Sequence, residues 1–342
     1  MRGLTWDHPR GYAPLDELTR LDAAGDRSYG AVPEPIAWDR QPLEGFESEP
    51  IAALCETYDV LVIDHPGLGA ALDALVPMEE LFEAGELARM RAGTVGRTWE
   101  SYHLEGRQWA LPLDAATQVA VARSGVEAPG TWPEVAEFAR GTRTALCLGG
   151  PHAFLMFCAL CSGDFQDSEA GLRALEVMGE LLALADREVS LLNPIGVLDA
   201  MAAGGPVYCP LVYEYGTYPL AFSDAPAWPG RAPGSVLGGT GLAVSRRRVD
   251  LVRDAVRAHL RRLLSEPVQA GLFPALGGQP AARSAWRDAP TLATMEAAWI
   301  RPRFPGYIAL QERSSALIRD GLLARAKPRD LLMTLRNEWR QT

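Results

Sequence analysis

Several things are missing from this chain of 342 residues, and each absence removes a class of function. No stretch approaches the roughly 20 apolar residues needed to span a bilayer, so no membrane insertion is expected. Positive charge is not in excess. The net charge is −10 and the isoelectric point about 5.1, which argues against nucleic acid as a partner. Cysteine is scarce and odd in number. Cys55, Cys147, Cys158, Cys161 and Cys209 lie mostly in apolar surroundings, the pattern of reduced, buried thiols rather than of a disulfide framework. Cys158-Ala159-Leu160-Cys161 has C-x-x-C spacing, but it follows the apolar run Ala153-Phe154-Leu155-Met156-Phe157 and reads as part of a core helix. The start, Met1-Arg2-Gly3, leads directly into an expected strand, without the basic start and apolar core of a secretory leader. The chain as it stands is therefore expected in the cytoplasm. Removal of a leader would place it in the periplasm or outside the cell. Internal repeats and low-complexity tails are absent too.

What is present is ordinary soluble composition, 48% hydrophobic and 22% charged. At about one domain per 150 residues, the length favours two domains. The most informative segments are Trp6-Asp7-His8-Pro9-Arg10-Gly11-Tyr12 and Tyr58-Asp59-Val60-Leu61-Val62-Ile63-Asp64-His65-Pro66. Each places an Asp-His-Pro triplet at the end of a short apolar run. Val60 to Ile63 is continuous and mostly β-branched, as a buried parallel strand should be. Ligands in open α/β sheets bind outside the carboxyl ends of strands, so the two triplets point to one shared polar crevice.

Residues 3–115 read as α/β, with helices near 46–57 and 78–91 around a strand at 59–64. Residues 105–114 read as a hairpin tip leading into an extended crossing segment. From 131 to 205 the pattern is mostly helical. Thr131 and Glu134 form a capping box, and Ser168-Glu169 open an amphipathic run with Leu172, Leu175, Met178, Leu181 and Leu182 on one face. Val207 to Val212 is a strand candidate ending in Tyr213-Glu214-Tyr215. The Pro/Gly-rich run 225–234 has the composition of a connection between domains. Strand chemistry returns at Leu237 to Ser245, an Arg-rich helix follows from Val249 to about Ser265, and helices are expected near 306–324 and 328–340.

The order of these segments resembles that of the type II solute-binding proteins of ABC transporters. Gly106-x-x-Trp109-Ala110-Leu111-Pro112-x-Asp114 is similar to the entry into that family's second lobe. Pro129-Gly130-Thr131-Trp132-Pro133-Glu134-Val135 is similar to its Pro-x-Thr-Trp-x-Glu helix start. Gly238-Gly239 through Val244-Ser245, then Ser265-Glu266-Pro267-Val268-Gln269 and Phe273-Pro274-Ala275, resemble the return to the first lobe. Departures from the family are the missing leader and lipoprotein cysteine. The resemblance spans nearly the whole chain. It implies an α/β, two-lobed periplasmic-binding-protein-like fold of type II, each lobe a mixed sheet flanked by helices, with a ligand cleft between lobes that closes by a hinge. The lobes would be residues 1–114 with 236–290, and 115–235 with 291–342.

The function expected is binding of a small polar ligand, a sugar or an organic acid, either as a transporter-type receptor partnered by an ABC permease or as a cytosolic derivative. A monomer without a cofactor is expected. Candidate ligand contacts are Trp6, Asp7, His8, Arg10, Tyr12, Asp64, His65, Tyr213, Glu214 and Tyr215. The aromatics offer faces for stacking and Arg10 a fork for a carboxylate or phosphate. Two alternatives stay open. His8 and His65, each beside an Asp, could serve an enzyme as acid-base groups, as on the thiaminase I relatives of this fold, with Cys209 able to face the cleft. No G-x-S-x-G signature supports that reading. The same Asp-His pairs, with the tyrosines, resemble the ligand set of ferric-binding members. Neighbouring strand residues, however, point to opposite faces, and no metal ligand is assigned. Asp39-Arg40 reads as a further strand end or as a surface ion pair. Gly238-Gly239-Thr240-Gly241 lacks the rest of a P-loop or a G-x-G-x-x-G fingerprint, so no nucleotide site is expected.

Overall fold

The carboxyl ends singled out above are set by how the chain is threaded. The computed structural model describes residues 1–163 and 168–340. Its strands are β1 (Arg2–Trp6), β2 (Ala37–Gln41), β3 (Val60–Ile63), β4 (His103–Leu104), β5 (Arg107–Gln108), β6 (Ala110–Ala122), β7 (Tyr208–Tyr213), β8 (Ala221–Ser223) and β9 (Leu237–Val244). The helices are α1 (Pro9–Ala23), α2 (Leu43–Ser48), α3 (Ile51–Leu54), α4 (Ala84–Ala92), α5 (Thr98–Ser101), α6 (Trp132–Gly141), α7 (His152–Leu160), α8 (Ser168–Leu184), α9 (Arg187–Ser190), α10 (Pro194–Ala202), α11 (Val249–Leu263), α12 (Phe273–Ala275), α13 (Leu292–Ala297), α14 (Tyr307–Leu323) and α15 (Pro328–Arg340). Two compact units share them. Unit 1 is Met1–Ala116, Gly238–Ala289 and Arg301–Tyr307; unit 2 is Thr117–Leu237, Pro290–Ile300 and Ile308–Thr342.

In unit 1, β1 lies between β2 and β3 and pairs with both in parallel, while β9 runs antiparallel to β3 with Val60 opposite Val244 and Ile63 opposite Gly241. The sheet is therefore mixed. All four β3 residues are buried, as the unbroken β-branched run requires. The stretch near 46–57 is two short helices rather than one, because Pro50, which has no N–H to donate, stands before Ile51 and ends the first. Near 78–91 a single 3₁₀ turn (Met78–Glu80) precedes α4. The hairpin tip is a two-residue turn between β4 and β5. Glu105 and Gly106 both have positive φ, as the primed hairpin turns demand.

Unit 2 is built on β6, which pairs antiparallel with β7 and β8. All thirteen residues of β6 are buried, and the strand carries the chain from unit 1 into unit 2 after Ala116. The capping box opens α6 as read: the Glu134 carboxylate accepts from the Thr131 N–H at 2.9 Å, and the Thr131 hydroxyl accepts from the Glu134 N–H. The core packs α7, buried throughout, against Trp132, Leu175, Met178, Leu181 and Leu182. The run 225–234 does not join the units. Ala227 bridges to Thr131 and the Trp228 indole donates to the Leu160 carbonyl at 3.0 Å, which fastens the run inside unit 2; the passage falls within β9, after Leu237.

All five cysteines are buried thiols outside any disulfide. Cys158 and Cys161 lie in and just after α7 with core neighbours. Burial pushes the Cys55 thiol up to about 11 and the Cys209 thiol to about 12. Such thiols are inert in either redox compartment, so their odd number says little about location. Native protein should accordingly leave all five unlabelled by an aromatic disulfide reagent at pH 8, and show five labelled thiols in denaturant. Rapid labelling of a native thiol would contradict this packing.

Candidate functional site

The site candidates fall into a unit 1 group and a unit 2 group. In unit 1, β1 ends at Trp6, and His8 caps α1, its Nδ1 accepting from the Arg10 N–H at 3.1 Å with Pro9 in the first turn. The His8 ring stacks on the Trp6 indole (centroids 5.2 Å apart, planes 12° apart), and Phe46 also stacks on Trp6 at 5.7 Å. Trp6 itself is only 3% exposed. It is the buried middle of a ring stack, and the half-exposed His8 presents that stack outward. Burial, then the Arg10 charge, lowers the His8 imidazole to about 4, so it is neutral at pH 7.

Gly11 makes the stack possible. A Cβ there would lie 2.3 Å from the Trp6 indole nitrogen, so Gly11→Ala should displace the indole and cost about 1–3 kcal/mol. Equilibrium urea unfolding checks this; an unchanged midpoint would show that the indole yields freely.

Arg10 does not offer its fork to a ligand. Its guanidinium binds both oxygens of Asp114, with Nε to Oδ2 at 2.9 Å and Nη2 to Oδ1, and both side chains are nearly sealed from solvent. The same guanidinium lies 5.8 Å from the Trp6 ring centroid. Asp7 is exposed, with Arg40 at 3.6 Å. The half-exposed Tyr12 ring is covered by Arg40, whose guanidinium carbon lies 3.5 Å from the ring centroid. Asp39-Arg40 stands within β2 rather than at its end. Asp39 takes Arg2 at 2.6 Å and Arg40 also takes Asp16; exposed pairs of this kind contribute little.

At the end of β3, Asp64 caps a 3₁₀ turn (His65–Ala70), its carboxylate accepting from the His65 N–H at 2.8 Å. The same carboxylate accepts from Arg301 Nη2 at 2.8 and 2.6 Å. Burial alone would raise the Asp64 carboxyl, but Arg301 and the neighbouring His65 outweigh it and hold it at about 2. His65 is fully buried. Its Nδ1 is 3.2 Å from Asp64 but not aligned for a hydrogen bond, and neither ring nitrogen has a partner. Burial, then Arg301, lowers it to about 4. Tyr102 packs edge-on to its ring and donates to the Ile63 carbonyl at 3.2 Å. His65 is thus sealed away from any substrate, and a direct acid-base role for it has no access.

In unit 2, Tyr213 ends β7 half-buried. Its hydroxyl donates to the Val236 carbonyl at 3.3 Å, and its ring packs edge-on against His152 at the start of α7. Glu214 accepts from the Thr291 hydroxyl at 3.2 Å, and Tyr215 is buried. Gln118, opposite Tyr213 in the β6–β7 register, is fully buried with neither amide atom bonded. Cys209, within β7, does not face a ligand as a nucleophile would: it is fully buried and its thiol is pushed up to about 12. Among the described residues, no three His, Cys, Asp or Glu side chains come together as a metal set.

Five participants lie outside the candidates read from sequence: Asp114, Arg301, His152, Phe46 and Tyr102. Asp114 carried a signal, a carboxylate inside an unbroken buried strand, which requires a partner. Arg301 carried none; it lies 237 residues from Asp64. His152, just before the apolar run that starts at Ala153, carried none either.

Comparison with known proteins agrees with this architecture. The maltose-bound MalE3 of T. maritima superposes with a TM-score of 0.79 at 16% identity, covering 99% of this chain and 98% of that one. The fold is that of the type II solute-binding proteins. A solute-binding protein of an Agrobacterium radiobacter ABC transporter, in complex with ribitol, gives 0.76 at 16% identity, over 99% of this chain and 97% of the other. The acarbose-binding GacH receptor of Streptomyces glaucescens gives 0.75 at 17%, over 100% and 97%. No protein-family model matches the sequence, and no curated protein matches it either. No helix among the described residues is long and apolar enough to cross a membrane.

Proposed function

We propose that this protein binds a small, uncharged, polyhydroxylated ligand, a sugar or sugar alcohol, as the solute-binding component of an ABC transporter. In unit 1 the ligand contacts would be the His8 face of the ring stack with Asp7 and Tyr12; taken by itself, unit 2 offers Tyr213 and Glu214. The observation that carries the choice of an uncharged ligand is the Arg10–Asp114 pair. The cation best placed to clamp an acid is already consumed by a buried carboxylate, and Arg301 is consumed in the same way by Asp64. An anionic ligand would meet Asp7, whose neighbour Arg40 is already shared between Asp7 and Asp16. Neutral hydroxyls suit neutral imidazole, carboxylates and phenols as hydrogen-bond partners. The fold supports the same reading, since similar structures hold maltose, ribitol and acarbose. A permease would be the partner, and the outer side of the membrane the place of work.

Thermal unfolding against a panel of neutral sugars, polyols, organic acids and phosphorylated metabolites tests this. A neutral ligand at about 100 times its dissociation constant should stabilise by about 2.7 kcal/mol. A response confined to acids would overturn the assignment. With the ligand in hand, His8→Ala should weaken calorimetric binding by about tenfold or more, the loss of roughly 1.4 kcal/mol. Unchanged affinity would remove His8 from the site.

A further inference from the structure

The segment Arg301–Tyr307 is a short excursion. The chain enters unit 1 after Ile300 and leaves it after Tyr307. Its holds on unit 1 include Arg301, Arg303 and the backbone at Gly69. Arg301 binds Asp64. Arg303 Nη1 donates to the carbonyls of Glu100, Ser101 and His103 at 2.6, 3.0 and 3.2 Å. The Arg303 carbonyl rests on Gly69 so closely that a Cβ there would sit 1.7 Å away. Pro302 and Pro305 stiffen the segment.

We propose that Asp64, His65 and Arg301 form a proton-operated latch on this strap. A proton taken from solvent by His65 Nδ1 lets Asp64 exchange Arg301 for the imidazolium, and the Arg301 end of the strap loosens from the carboxyl end of β3.

The geometry contains both partners of the exchange. Asp64 is one carboxylate beside two nitrogen groups far apart in sequence, the Arg301 guanidinium bound at 2.6 Å and the His65 imidazole 3.2 Å away but misaligned. A buried imidazole with neither nitrogen bonded is costly, and a small ring rotation towards Asp64 would satisfy one of them. Protonated His65 and Arg301 cannot both stay sealed on a single carboxylate, because the second cation would be buried uncompensated. His65 is fixed by the turn that Asp64 caps, so the group that leaves is Arg301, whose backbone belongs to the strap. Other groups facing the ring are few: Arg303 from the strap, which also disfavours the imidazolium, and the Tyr102 phenol, whose ionisation burial suppresses. Cys55, in the same apolar cluster, remains a neutral thiol. The exchange raises the charge of the trio by one, the charge of the proton taken from solvent. None of this depends on the identity of the ligand.

The test follows the His65 ring and the backbone amides of residues 301–307 by NMR and hydrogen exchange on the full chain, from pH 7 to 4. The expected result is a single midpoint for both, with amides of α7 in unit 2 still protected. In Arg301→Gln the His65 midpoint should rise by about one pH unit, because the repelling charge is gone while the burial stays. In His65→Gln the strap should keep its protection over the whole range. Loss of strap protection at the wild-type pH in His65→Gln, or an unmoved His65 midpoint in Arg301→Gln, would overturn the latch. If neither variant folds, wild type decides: strap protection that stays flat while His65 titrates, or that is lost only together with α7, contradicts it.

Discussion

Asp114→Ala should destabilise the protein by about 3–5 kcal/mol at pH 7, the range for breaking a buried ion pair. The reason is the group left behind. Arg10 is 5% exposed, and its guanidinium would stay buried beside Trp6 without its carboxylate. The pair joins the start of α1 to β6, 104 residues later, close to the point where β6 leaves unit 1. Replacing both partners together, Arg10→Met with Asp114→Leu, removes the stranded charge and should cost much less than Asp114→Ala alone. Equilibrium unfolding in urea measures both. A double variant as unstable as the single one would show that the pair's hydrogen-bonding shape, rather than its charge balance, is what the fold requires.

Stability should also fall by about 3 kcal/mol as the pH drops from about 6.5 to about 4, through His65 alone, at 1.36 kcal/mol for each unit between its ordinary and its folded value. Burial and Arg301 hold the folded imidazole at about 4, so over this window the unfolded chain binds the proton and the folded one does not. Unfolding therefore gains as the pH falls. His8 acts in the same direction with a smaller effect, being partly exposed. Asp64 has a lowered carboxyl, so its contribution is present above about pH 4 and is lost as the pH falls towards 2. His65→Gln should flatten the profile between pH 6.5 and 4. Chemical unfolding at half-unit intervals reads this out, and an unaltered slope in the variant would place the acid sensitivity elsewhere.

Local signals were legible where one residue's neighbours along the chain decide its state. Val60 to Ile63 could only be a buried strand, and Thr131 with Glu134 could only open a helix. The stretch 46–57 reads as helical from sequence, and the structure divides it at Pro50, which has no N–H to donate. The order of elements carried the fold, although identity to similar structures is only 16–17%. Site residues were legible as types but not as partners. Arg10 reads equally well as a ligand clamp or as half of an ion pair, and only Asp114, brought beside it by tertiary structure, decides. Trp6 reads as a stacking face, yet His8 and Phe46 already occupy its stack. Asp64 and His65 were singled out for a crevice, whereas Arg301 and Tyr102 enclose them in a way that no short-range pattern announces.

The central claim is that an uncharged ligand is bound, and one calorimetric comparison addresses it most directly. Once a neutral sugar has been found, it is titrated beside the uronic acid of the same sugar, at pH 7 and low salt. The sugar should bind at least tenfold more tightly, because Arg10, Arg40 and Arg301 are already paired with carboxylates and Asp7 repels the acid. Tighter binding of the acid would mean that a cation is available after all, and would contradict the assignment.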